Sequence, residues 1–391
     1  MRIPHGNRFA ILLITLLAAN TLAPANILGI GSNKSDPLQT DHFGKTIDGD
    51  IVTQYILTNK SGASARLINY GATLTDLFMP DRDGKMADVV LGFDETKKYQ
   101  LVGANVGPIV GRYSNRIAGG TFTIDGTTYM VTLNQGMNCL HGGFKGLAKR
   151  MWDADYGMTP DGPAVRFSIL DKDGEEGFPG NVNISVMYTL TNTNTLRVQY
   201  YARTDKPTPI NLSQHSFFNL SGQPNHDVLG YITKLYAAHY LPVDKTLIPT
   251  GEIATVDGTP FDFTKAKPIG QDMKSLPPPF TGYDSTFVLD NTKAQLMKAA
   301  EVYDPESGRL VQCWTTEPSV HFSSGGNLGG IVGRDKITWQ PYDGFSLETQ
   351  HFPDGPNHPN FPDTILRPGH VYRQVSEFRF SIPATPPQPG Q

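Results

Sequence analysis

The chain has 391 residues, 38% of them hydrophobic and 18% charged, with a formal net charge of −4 and a pI near 6.2. That length fits one large all-β domain or two smaller ones, and mild acidity without any basic run argues against a nucleic-acid partner. With 40 glycines, 30 prolines and few helix-like stretches, the composition is that of many short strands joined by turns.

At the N-terminus Arg2 and Arg8 precede an apolar run from Phe9 to Ala19, and Ala23-Pro24-Ala25 follows. A basic, then apolar, then small-residue order describes a secretory signal peptide over residues 1–25. The run is shorter than the roughly 20 apolar residues of a membrane span. The expectation is therefore an exported protein, periplasmic or secreted, with no membrane attachment after cleavage. Residues 26–41 turn polar from Ser32 onward and are expected to be a flexible segment.

From His42 onward short alternating segments dominate. Phe122-Thr-Ile-Asp125-Gly126-Thr-Thr-Tyr129 reads as a hairpin with Asp-Gly in its two-residue turn. Val165, Phe167 and Ile169, then Val182 through Leu190 at every second position, then Leu196, Val198 and Tyr200 mark strands with one buried face, because successive side chains point to opposite sides. Pro277-Pro278-Pro279 requires an extended loop. Thr292 to Tyr303 is the best helical candidate, and the proline-rich tail 383–391 is expected to hang free. No linker composition interrupts the pattern, so the reading is one large, mostly antiparallel β-sandwich. Cys139 and Cys313 are too few for a disulfide framework, and whether they pair stays open. No CxxC or HExxH spacing occurs.

Two segments concentrate chemistry. Asn211-Leu-Ser-Gln-His215-Ser-Phe-Phe-Asn-Leu-Ser-Gly222 carries one histidine amid polar residues and the apolar Phe217 and Phe218. Leu347-Glu348-Thr-Gln-His-Phe-Pro-Asp354 carries a glutamate. An imidazole and a carboxylate facing one substrate form a general acid and a general base. If Leu347 faces a core, Glu348 faces the other side of its strand. Taken singly, each residue also fits a structural histidine or a solvated strand glutamate. Gly111-Arg112-Tyr-Ser-Asn115-Arg116 supplies donors suited to hydroxyl groups. Asn138-Cys-Leu-His141-Gly142-Gly143 places a histidine beside glycines that let backbone approach a ligand, and Asp284 could accept from hydroxyls or simply form a turn.

These segments stand in an order that resembles the aldose 1-epimerase (galactose mutarotase) family. Asn69-Tyr-Gly-Ala-Thr, Asp88-Val-Val-Leu-Gly-Phe-Asp94, Leu140-His-Gly-Gly143, Asp173-Gly-Glu-Glu-Gly-Phe-Pro-Gly180, Leu247-Ile-Pro-Thr-Gly251 and Leu366-Arg-Pro-Gly369 extend the resemblance over residues 42–382. It implies a galactose-mutarotase-like β-supersandwich and an enzyme that interconverts the anomers of free aldohexoses such as glucose and galactose. No cofactor or metal is implied, and the chain would act as a monomer or homodimer. By position, His215 matches the general acid and Glu348 the general base. Asn115, Arg116, His141 and Asp284 match substrate-binding positions, and Phe217 lines the site where relatives carry tyrosine. His321 stands where relatives commonly have glutamine, and Gln214 replaces the common asparagine before the acid. Those departures bear on the preferred sugar.

Three rivals remain: a metal-dependent hydrolase or lyase using His141, His215 and Glu348, a non-catalytic sugar-binding module, and a hexose-6-phosphate epimerase. The last needs a cationic cluster, for which Arg112 and Arg116 are the candidates. Export is directly testable. Mass spectrometry of protein from its native host should show a chain starting near Asn26, and an intact Met1 terminus on soluble protein would exclude it.

Overall fold

A computed structural model describes residues 37–390. The expected signal peptide, 1–25, lies outside the described residues, as does most of the segment 26–41. Three antiparallel sheets dominate. A nine-stranded sheet runs in the order Asp153–Met158, Pro163–Asp171, Val182–Leu190, Thr195–Thr204, Tyr372–Ser381, Leu310–Thr315, Met297–Tyr303, Ile232–Leu235 and Lys267–Pro268. One five-stranded sheet comprises Leu38–Lys45, Ile51–Thr58, Ser64–Ile68, Thr73–Pro80 and Met86–Asp88. The other comprises Ala254–Thr255, His239–Tyr240, Asp284–Val288, Ser319–Ser323 and Ser346–Gln350. The one α-helix among the described residues is Thr96–Leu101.

All three sheets turn an apolar face into one core. Leu57, Leu67 and Leu77 come from the first five-stranded sheet, Val165, Phe167, Val186 and Val198 from the large one, and Phe287, Val320, Phe322 and Leu347 from the second. The period-two segments seen in the sequence are the strands that do this. The Asp125-Gly126 hairpin is also present, with Ile124 paired to Thr127. Cys139 and Cys313 are both free and buried, and they sit in different apolar clusters.

Three sequence expectations need correction. The segment 26–41 is not flexible at its end, because Leu38–Lys45 pairs antiparallel with Ile51–Thr58 and Leu38 is buried in the core. The helical candidate Thr292 to Tyr303 contains the strand Met297–Tyr303 instead. A register shift between Lys298 and Ala300 breaks its alternation, so adjacent Ala299 and Ala300 are both buried. The ion pair of Lys298 with Glu301, 2.6 Å, reproduces the i,i+3 spacing of a helix. Finally, the tail does not hang free. Pro383, Thr385, Pro386 and Pro387 wall a cavity of about 310 Å³ with Ile232, Ala266 and Leu310, and the Gly390 amide donates to the Ala266 carbonyl at 2.7 Å.

Phe218 and Phe345 tie together two segments far apart in the chain. The Phe218 amide donates to the Phe345 carbonyl at 2.7 Å, and the Phe345 amide returns the bond at 2.9 Å. The Phe218 ring lies between Phe345, at 5.7 Å centroid separation, and Phe378, at 5.1 Å. Phe218→Ala should destabilise the fold by about 3–5 kcal/mol, the usual cost of deleting a buried aromatic ring. Urea denaturation of the variant against wild type measures this, and a change under about 1 kcal/mol would show the ring to be dispensable.

Candidate functional site

Strand pleating builds the floor of the site. In Ser346–Gln350, Leu347 enters the core and Glu348 points the other way. Glu348 is opposite His321 on the neighbouring strand, and His321 is opposite Thr286 on the next. Asp284 lies two residues before Thr286 on the same face. A polar row, buried at Thr286, His321 and Glu348 and partly open at Asp284, thus lies on the opposite face from an apolar one.

His215 arrives from the facing loop. Ser213–Gln214 pairs with Ile109–Val110. The His215 amide donates to the Pro108 carbonyl at 3.0 Å, and its carbonyl accepts from Gly107 at 2.8 Å. The result is an imidazole whose Nε2 sits 3.4 Å from Glu348 Oε1, with side chains only 10% and 3% exposed. Ser346 Oγ donates to Glu348 Oε1 at 3.0 Å. Neither His215 Nδ1 nor Glu348 Oε2 has a hydrogen-bond partner, although both atoms are buried. Buried polar atoms are nearly always paired, and each of these two is free to bond a polar ligand.

The third side comes from two loops that hold each other. Arg116–Ile117 pairs with Cys139–Leu140, which brings His141 beside Asn115. The His141 amide donates to the Asn115 carbonyl at 2.9 Å, and the Asn115 amide donates to His141 Nδ1 at 3.1 Å. Because Nδ1 accepts from a backbone N–H, the proton of the neutral ring sits on Nε2. The ring is neutral because burial, together with the nearby charges of His215, Arg116 and His321, pushes its pKa well below the ordinary histidine value. His141 therefore presents a donor. Its ring meets that of His215 edge-on at 5.0 Å. Gly142, at φ +83, admits no side chain, since a Cβ would lie 2.2 Å from the Gly111 carbonyl oxygen.

Arg116 is held by Gln135 Oε1 at 2.7 Å and Asn115 Oδ1 at 3.2 Å. Burial lowers its pKa, partly offset by Asp284 and Glu348, and it stays charged. For Asp284, burial raises the pKa, but the hydrogen bond from His321 and the charges of His321, Arg116 and His215 outweigh it. The carboxylate is ionised. Asp284 Oδ1 is 2.8 Å from His321 Nε2.

The structure therefore brings His215, Glu348, His141, Asn115, Arg116, Asp284 and His321 to one place. Phe217 touches the His215 ring at 5.4 Å, yet it is 1% exposed and belongs to an apolar cluster with Leu91, Phe93 and Trp339. It backs His215 rather than offering surface to a ligand. Arg112 is not in the site: Asp171 Oδ2, the Pro179 carbonyl and Thr208 Oγ1 hold it at 2.7, 2.7 and 3.0 Å. Gln214 bonds the Gly107 carbonyl and Ser216 Oγ at 3.1 and 2.5 Å, fixing the loop. His351 pairs with Glu317 at 2.5 Å, away from the polar row. Sequence reasoning missed Thr286, Gln135, Ser346 and Gln350. Gln350 Oε1 accepts from Ser114 at 2.8 Å, while its Nε2 is a further buried orphan. The alternation Ser346, Glu348, Gln350 was available as a signal. His141, His215 and Glu348 offer ligand atoms within 4.8 Å of one another, a set that could also hold a metal ion.

The chain is similar to known proteins along most of its length. The family model described as aldose 1-epimerase matches residues 53–379. The chain is 40% identical to the galactose mutarotase of Rattus norvegicus over 343 residues, covering 87% of this chain and 97% of that one. It is 36% identical to the aldose 1-epimerase of Escherichia coli, covering 85% and 96%. Among solved structures, an aldose epimerase homologue from C. elegans superimposes with a TM-score of 0.76 at 32% identity, over 84% of this chain and 98% of that one. A galactose 1-epimerase from Lactobacillus acidophilus gives 0.77 at 26% identity, over 88% and 98%. The supersandwich expected from the sequence is thus the fold observed, and the chain belongs to the aldose 1-epimerase family.

Proposed function

We propose that this protein is an aldose 1-epimerase, a mutarotase that interconverts the α and β anomers of free aldohexoses such as glucose and galactose. The observation that carries the reading is the buried imidazole–carboxylate pair, 3.4 Å apart, each member with a polar atom left for substrate. Relatives that share most of the chain bear the names galactose mutarotase and aldose 1-epimerase.

In the proposed mechanism Glu348 takes the proton of the C1 hydroxyl while protonated His215 gives one to the ring oxygen. The bond between C1 and the ring oxygen breaks, the aldehyde turns about C1–C2, and the ring recloses on the other face with the two roles reversed. Neutral His141 donates from Nε2 to a sugar oxygen, Arg116 and Asn115 donate to hydroxyls, and Asp284 accepts from one. Arg112 is committed to Asp171, which leaves Arg116 without a second site arginine for a phosphate. A free sugar fits better than a sugar phosphate. Export by the N-terminal segment would place the reaction in the periplasm or outside the cell, by a monomer or homodimer.

Polarimetry with freshly dissolved α-D-glucose, α-D-galactose, xylose and arabinose tests the activity against a protein-free control. Glu348→Gln and His215→Asn should each lower kcat at least about 100-fold, the usual worth of one general acid or base, with the fold intact. A fully active Glu348→Gln enzyme would sink this mechanism. Activity lost to a chelator and restored by one equivalent of metal would favour the metal reading of His141, His215 and Glu348.

A further inference from the structure

His321 has both of its ring nitrogens committed within the protein. Nε2 is 2.8 Å from Asp284 Oδ1, and Nδ1 is 2.9 Å from Thr286 Oγ1 and 3.5 Å from Asn115 Nδ2. Its side chain is 6% exposed, whereas that of Asp284 is 39% exposed. The open acceptor is thus the second oxygen of Asp284, and His321 has no polar atom left for a sugar hydroxyl. A glutamine, which the resemblance puts at this position in relatives, could also donate to Asp284. It could not take up a proton.

We propose that His321 is a positioning residue of the sugar site: it orients Asp284 toward the substrate, and its protonation weakens sugar binding. This rests on the aldose reading above and concerns affinity rather than the proton transfers. With the ring neutral, Nε2–H donates to Asp284 while Nδ1 accepts from the Thr286 hydroxyl and the Asn115 amide. Asn115 turns its nitrogen toward His321 because its Oδ1 accepts from Arg116 at 3.2 Å. Protonation puts a hydrogen on Nδ1, so that a donor faces the Asn115 donor and Thr286 must reverse its hydroxyl. The imidazolium also draws on the Asp284 charge and makes it a poorer acceptor for a sugar hydroxyl. Every consequence falls on Asp284, Asn115 or, through Asn115, Arg116.

The charges facing the ring come from several elements. Burial opposes the imidazolium, but the hydrogen bond and charge of Asp284 on one flanking strand, with Glu348 on the other, outweigh burial and the repulsion of Arg116. His141, from the facing loop, also interacts with it, and His215 shares Asp284 as a neighbour. The net effect raises the His321 pKa above the ordinary value. Since a raised pKa means that the charged form persists to higher pH, sugar binds weakly below it and tightens as pH rises through it.

The test is galactose affinity, by calorimetry and as KM, for wild type, His321→Gln and His321→Ala across the pH range in which each is folded. Wild-type affinity should improve about 3- to 10-fold with rising pH, roughly the worth of one hydrogen bond. His321→Gln should keep high affinity and lose that pH dependence, with the shape of its kcat profile retained. His321→Ala should bind weakly at every pH. Nitrogen-detected histidine spectra should show the His321 ring protonated on Nε2 when neutral, and its titration should move to lower pH in Asp284→Asn. A pH-independent wild-type affinity, or a titration that survives in His321→Gln, would overturn the proposal. Calorimetry needs no turnover. If wild type bound galactose with this pH dependence yet failed to speed mutarotation, the epimerase reading would fall and the role of His321 would stand.

Discussion

The backbone bridge between Phe218 and Phe345 is the constraint on which the site depends. It joins the loop that carries His215 to the start of the strand that carries Glu348 through a reciprocal pair of hydrogen bonds, 2.7 and 2.9 Å. The Phe218 ring in the common core anchors that junction. From there the pleat decides the rest, because Leu347 must enter the core and Glu348 must then face His215. Other bonds knit the same two segments. Ser213 Oγ donates to the Thr349 carbonyl at 3.1 Å, and the Asn211 side chain bonds both the amide and the carbonyl of His351, at 2.8 and 3.3 Å. A shift of an ångström at such a junction would be enough to spoil a geometry that general acid–base chemistry requires.

The site's electrostatics are balanced rather than extreme. Glu348 brings a buried carboxylate and Asp284 a partly exposed one, and Arg116 with two ionisable histidines, His215 and His321, stands against them. Isolated buried charges are costly: His215 and Glu348 lie 3.4 Å apart and His321 and Asp284 2.8 Å apart, while Arg116 donates to the amide oxygens of Gln135 and Asn115. His141 is the exception that serves the chemistry. Held by burial and then by its cationic neighbours, it stays neutral and acts as an oriented donor.

Much of the polarity in the two diagnostic segments serves construction. Gln214, Ser213, Asn211 and Asn219 satisfy backbone groups of neighbouring segments. Asn219 Nδ2 alone reaches the carbonyls of Gln223, His226 and Asp343 at 3.0, 2.7 and 2.8 Å. Arg112, four residues before Arg116 in the chain, is a structural cation on Asp171. Buried segments with only short ladders, such as Ser213–Gln214 on Ile109–Val110, need side chains to satisfy their remaining backbone groups.

The all-β class, the period-two strands of the large sheet, the Asp125-Gly126 hairpin and the His215 and Glu348 segments were all legible in the sequence. Side-chain alternation and turn chemistry are local properties of the backbone. The alternation of Leu347 and Glu348 even indicated which face the carboxylate would take. The strand at Met297–Tyr303 was hidden because its bulge erased the period. The docking of residues 383–390 was hidden because proline content reports local stiffness and says nothing of what lies alongside. That Arg112 is structural, that Phe217 stands behind His215, and that His321 spends both nitrogens on Asp284 and Thr286 were decided only in three dimensions. Each depends on which strand lies next to which, a choice made by burial of a shared core among segments far apart in the chain, and no local pattern encodes it.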